Sequence, residues 1–155
     1  MKKILLSLLA LMTLGCSLTA CSSDDNEDPV YNHTQTPEQA AQGTYSGQFI
    51  RLQANSSTAV PEYGEGTLVI IPSDTAYVAH VRFECAELAI SAETPVNITY
   101  ANDGFMFSND LSTNPLGSPI SGHINAVGTA ESGFQLKIRQ GRSTKTFDIS
   151  FSGTR

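Results

Sequence analysis

His33, His80 and His123, fifteen carboxylates and three cysteines are the residues of this 155-residue chain from which a metal site or an acid–base pair could be built. No two histidines stand at metal-ligand spacing, so no zinc site is expected. His80 and His123 could share a site only if their strands were neighbours. Glu62 and Glu65 flank Tyr63 in a Gly-rich stretch that reads as a solvated loop, although paired carboxylates several Å apart can hydrolyse glycosidic bonds. Gly141-Arg142-Ser143 lacks the second glycine of a nucleophile elbow, and no motif pairs a serine or Cys85 with a base. Asn102-Asp103-Gly104 and Asn109-Asp110 gather oxygen ligands near one hairpin, but without calcium-loop spacing, and turn chemistry accounts for them. The expectation is a protein that is not an enzyme, with no catalytic residue, metal or cofactor.

Binding residues are easier to nominate. Tyr45, Phe49, Tyr63, Tyr77, Tyr100, Phe105 and Phe107 could contact a small apolar ligand or a glycan, although each stands on an alternating apolar face where the ordinary role is core. A lined cavity of at least about 300 Å³ would favour binding, and a filled interior would oppose it. The alternative is a structural or accessory protein that presents a surface to another protein. Lys137, Arg139, Arg142 and Lys145 gather on the last hairpin of an otherwise acidic chain. They could attract an anionic sugar, a phosphate or a lipid headgroup, or they could protect a sheet edge with charge. Asp74-Thr75-Ala76 resembles the three-residue acceptor for O-glycosylation in Bacteroidota envelope proteins, which implies a glycan on Thr75; a turn explains it equally well.

The first 20 residues have the order of a signal peptide: Met1-Lys2-Lys3 is a positive n-region, Ile4 to Leu14 an apolar h-region, and Leu18-Thr19-Ala20 a small-residue approach to cleavage. The apolar stretch is interrupted by Ser7, Thr13, Gly15 and Ser17 before it reaches the length of a spanning helix, about 20 residues. Leu18-Thr19-Ala20-Cys21 resembles the lipobox of bacterial lipoproteins, which implies that Cys21 becomes the mature N-terminus and carries the acyl chains. Thr13-Leu14-Gly15-Cys16 is the poorer match. More than one acyl chain gives lasting membrane attachment, which a single chain does not.

Ser22-Ser23-Asp24-Asp25-Asn26-Glu27-Asp28 is too charged to bury apolar area, so residues 21–36 read as a lipidated Cys with a solvated acidic tether. This run resembles the acidic export signal that follows the lipidated Cys in surface-exposed lipoproteins of the Bacteroidota. The resemblance implies an outer-membrane protein that faces outwards; an ordinary polar linker is the alternative. The formal charge of −6 makes nucleic acid an unsuitable partner. Cys85 is left without a partner in the folded part, and the expectation for it is a small buried hydrophobe.

About 120 residues, 37–155, remain for one domain, enough for a single core without disulfides. Thr36-Pro37-Glu38-Gln39 signals a short helix that Gly43 ends. Beyond it the dominant period is two. Tyr45, Gly47 and Phe49 share a face, as do Tyr77, Ala79, Val81 and Phe83; Leu68-Val69-Ile70-Ile71 is apolar on both sides. Val96, Ile98 and Tyr100 alternate before Ala101-Asn102-Asp103-Gly104 turns into Phe105-Met106-Phe107. Ile120 to Ala126, Phe134 to Ile138 and Phe147 to Phe151 repeat the theme, with polar residues opposite. The reading is an all-β, antiparallel meander of eight or nine strands, closed as a barrel or split as a two-sheet sandwich.

Gly43-Thr44-Tyr45-Ser46-Gly47 opens this domain and Phe147-Asp148-Ile149-Ser150-Phe151-Ser152-Gly153 closes it. Over residues 43–153 the pattern resembles the calycin-like, lipocalin-like β-barrel lipoproteins of the Bacteroidota. That resemblance implies a barrel, with room for a ligand cavity, and names no ligand.

Overall fold

Thr36 and Pro37 do start a helix, α1 (Pro37–Ala41), and Gln39 Oε1 accepts the Thr36 N–H at 3.3 Å. Only that half of the capping box has a hydrogen bond, because the Thr36 hydroxyl has no partner among the described residues. In this computed structural model the described residues are 34–109 and 118–155. The leader, Cys16, Cys21, the acidic run, His33 and Asp110 lie outside them.

Eight strands follow: β1 (Gly43–Gln53), β2 (Glu62–Pro72), β3 (Val78–Cys85), β4 (Ile90–Ala101), β5 (Gly104–Asn109), β6 (Ile120–Asn125), β7 (Thr129–Gln140) and β8 (Ser143–Thr154). Each pairs antiparallel with the one before it, and β8 returns to β1 from Ser46↔Thr154 to Gln53↔Phe147. The meander is therefore a closed barrel, and the sandwich is not formed. Closure gives each of the eight strands a partner on both sides.

Period two decides which side each residue faces. Phe49, Leu68, Val81, Phe83, Ile98, Phe107, Ile120, Phe134 and Phe151 point inward and are buried. Their rings meet: Phe49 lies 4.7 Å from Phe151 and edge-on to Phe83 at 6.4 Å, while Phe83 and Phe134 are 4.6 Å apart, within the range of favourable aromatic pairs. Gly122 is the inward residue opposite Phe107, and a Cβ there would stand 2.0 Å from the Phe107 Cζ. The ring occupies the space that a side chain at 122 would need.

Two local readings are corrected. Glu62, Tyr63 and Glu65 belong to β2, not to a loop. Gly66 is there because β2 and β3 approach closely, a Cβ falling 2.1 Å from the Glu84 carbonyl oxygen, so it serves strand contact. Tyr77 is not on the inner face of the third strand. It precedes β3 at φ +63°, 56 % exposed, with its N–H donated to Glu38 Oε2 at 3.1 Å and its carbonyl accepting from Ile98. Those two backbone bonds turn the ring outward. β4 also begins earlier than the Val96–Tyr100 alternation, since Ile90, Ala92 and Thr94 face inward ahead of Pro95.

Candidate functional site

The aromatic candidates divide according to this geometry. Tyr45, Phe49, Phe105 and Phe107 are buried in the core. Phe49 and Phe107 fill the barrel, whereas Tyr45 and Phe105, though buried, also border a hollow at one end of it. Tyr100 is half-buried at the end where the chain enters; its ring lies 5.5 Å from Phe105 and its hydroxyl donates to the Gln35 carbonyl at 2.5 Å. Tyr45 donates to the Ala41 carbonyl at 2.8 Å, and Arg155, which bonds the Gln42 carbonyl at 3.0 Å, lies 5.8 Å above the Tyr45 ring. Burial pushes the Tyr45 hydroxyl above its ordinary pKa, partly offset by the Arg155 charge. With Glu38 on the Tyr77 amide, these bonds fasten α1 and its flanks over this end of the barrel. The hollow left there, between Tyr45, Tyr100, Phe105 and Arg155, measures about 270 Å³.

The other end is closed differently. Arg51, inward on β1, pairs with Glu62 at 2.6 Å, donates to the Leu88 carbonyl at 2.5 Å and lies 5.3 Å above the Phe147 ring. Leu88 is buried beneath this arrangement.

A larger space lies on the outside. A groove of about 550 Å³ crosses β1, β8, β7, β6 and β5, lined by Gln48, Ile50, Met106, Ser121, His123, Glu131, Ser150 and Ser152. The strand register explains it. One outward row runs Gln48, Ser152, Glu131, His123, Met106; the next runs Ile50, Ser150, Gly133, Ser121, Ser108. Short side chains in the middle strands form a floor, and Gln48 and Ile50 on one side with Met106 on the other form walls. His123 is held through Nε2 by Asp103 Oδ1 at 2.9 Å, and Glu131 is its cross-strand neighbour. No lysine or arginine lines the groove.

Chemically the groove offers hydroxyls that both donate and accept, an amide, a carboxylate and an imidazole. His123 has Asp103 as a partner. His80 is elsewhere, on β3, 3.5 Å from Glu93, which also pairs with Arg82 at 2.8 Å. The two histidines do not share a site. No group of three metal-ligating residues occurs among the described residues, and no helix there is long and apolar enough to cross a membrane.

The remaining candidates are dispersed. Lys137 and Arg139 face outward on β7, whereas Lys145 lies across from the half-buried Ile138 on the opposite side and Arg142 is in the turn. Alternation thus divides the basic cluster between two faces. Thr75 is exposed in the β2–β3 turn, with its N–H accepted by Ser73 Oγ at 3.1 Å. Cys85 is a free, buried thiol. Sequence reasoning passed over the groove because Ser150, Ser152 and Gly133 carry no signal singly; their alignment depends on the register of four strand pairs. Comparisons with protein-family models, curated proteins and solved structures find no match.

Proposed function

We propose that this protein is a lipid-anchored, outward-facing outer-membrane lipoprotein of the calycin-like kind, a non-enzymatic binding module that holds a short neutral glycan in the groove across β1 and β5–β8. The observation that carries this reading is the lining of that groove. Ser121, Ser150, Ser152, Gln48, Glu131 and His123 supply hydrogen bonds on the scale of sugar hydroxyls, and Ile50 and Met106 supply apolar contact for ring carbons. Most of the exposed lining is apolar, which suits the C–H faces of sugar rings, and the few polar groups would set their orientation. An anionic ligand would meet Glu131 with no lysine or arginine to receive it. The packed interior supports placing the ligand outside the barrel. Attachment rests on Cys21 and the acidic run after it, and the closed eight-stranded meander is the architecture that the resemblance to calycin-like lipoproteins implies.

The test is a glycan array probed with the full chain in detergent, alongside Ser150→Trp, which places an indole on the groove floor. Binding by the wild type and its loss in Ser150→Trp is the expected result. A variant that binds as well as the wild type overturns the site. For the anchor, palmitate labelling should disappear in Cys21→Ala, and undiminished labelling refutes it.

A further inference from the structure

Ile50, one wall of the groove, has Tyr63 as its cross-strand partner on β2. Partners in an antiparallel pair point to the same side, and alternation with the buried Gly64 puts Tyr63 outward. Tyr63 is 56 % exposed. β3 pairs with β2 only from Thr67 onward, so Tyr63 lies beyond the last β2–β3 partner pair. The row of the groove therefore continues past its wall: Tyr63, Ile50, Ser150, Gly133, Ser121, one residue from each of β2, β1, β8, β7 and β6. At about 4.8 Å per strand measured along the curved surface, Tyr63 is two spacings, roughly 10 Å, from Ser150 and four, roughly 19 Å, from Ser121.

From this alignment we infer that Tyr63 is a stacking subsite that extends the groove, and that the ligand is a linear neutral oligosaccharide laid across the strands, longer than a disaccharide. This rests on the glycan reading of the groove. A tyrosine face is apolar and rigid, suited to the C–H face of a sugar ring, while its hydroxyl remains in water. The neighbouring Arg51–Glu62 pair, with Arg51 also bonded to Leu88, anchors the strand on which the ring is carried. Tyr63 thus contributes contact that depends on ligand length, and the serine floor contributes contact that does not.

The experiment measures binding of the full chain in detergent to the disaccharide and hexasaccharide members of the maltose, cellobiose and β-mannose series. For a hexasaccharide that the wild type binds, Tyr63→Ala should weaken binding about tenfold, with the disaccharide unaffected, and Tyr63→Phe should retain the wild-type value because the ring remains. Loss of binding in Ser150→Trp together with unchanged hexasaccharide binding in Tyr63→Ala overturns this inference and leaves the groove standing. Equal weakening of disaccharide and hexasaccharide in Tyr63→Ala also overturns it. Failure of every hexasaccharide to bind the wild type overturns the groove reading, and this inference with it.

Discussion

β5, β6, β7 and β8 present opposite chemistry on their two sides. Inward they carry Phe107, Ile120, Ile124, Phe134, Ile149 and Phe151, all buried; outward, over the same residues of chain, they carry Ser108, Ser121, His123, Glu131, Gly133, Ser150 and Ser152. The inner face is filled by large rings with glycine where a ring needs room. The outer face is short side chains with a groove above them. The contrast shows why the larger groove of this barrel is outside: rings at the inward positions take up the lumen, and the small residues that leave space are on the other side of the pleat. Stability is therefore concentrated on the inner side, the proposed recognition lies on the outer one, and substitutions should divide accordingly.

The largest effect is expected from Phe107→Ala. Its ring is 1 % exposed and covers Gly122, and truncating a buried phenylalanine costs about 3–5 kcal/mol through lost transfer energy and the cavity left behind. Urea denaturation of the two proteins measures it. A loss below about 1 kcal/mol would mean that the interior is loosely packed. Gly122→Val should cost less, about 1–3 kcal/mol, because it forces the ring aside without emptying the space. Ser121→Val, one residue away but outward, should stay within about 0.5 kcal/mol of wild type. The pair sharpens the comparison, since the same valine is introduced at adjacent positions on opposite faces. In the double variant Phe107→Ala, Gly122→Val the costs should be less than additive, because alanine makes the room that valine needs.

The alternating face of each strand was legible in the sequence because one side of every strand meets the core, which forces apolar residues to recur at every second position. Tyr45, Phe49, Val81, Phe83, Ile98 and Ile149 could be placed inside on that ground alone. The choice between barrel and sandwich was not legible, since it depends on β8 pairing with β1, a contact between residues about as far apart as the domain allows. Tyr77 was misplaced for a local reason: its outward turn is set by Glu38, 39 residues earlier, which accepts the Tyr77 N–H. Glu62 to Glu65 read as loop because glycine usually breaks strands; at Gly66 it is instead what allows β2 and β3 to approach. The groove required both the closure and the register, so it lay beyond any single stretch of sequence.

The smallest effect belongs to the outer surface away from the groove, and it depends on pH. Glu93 holds its carboxyl below the usual carboxylate range, first through the hydrogen bond from Arg82, opposed by partial desolvation, and then through the charges of Arg82 and His80. A carboxyl whose pKa is depressed on folding stabilises the protein above the unfolded value, and that contribution is lost as pH falls through the folded value. The arrangement therefore acts on the acid side only, and its contribution is fully present at neutral pH. Because Arg82 and Glu93 are both exposed, solvent and salt screen the pair, and no change in neutral-pH stability should be resolved on Arg82→Gln. What should change is the titration itself. Carbon-detected NMR should find the Glu93 pKa below the ordinary carboxylate value in the wild type and moved up towards it in Arg82→Gln, with a smaller rise in His80→Asn. A Glu93 titration that ignores Arg82→Gln would show that the ion pair does not persist in solution. A melting temperature lowered as much as by Gly122→Val would show that the outer face contributes to stability on the scale of the inner one.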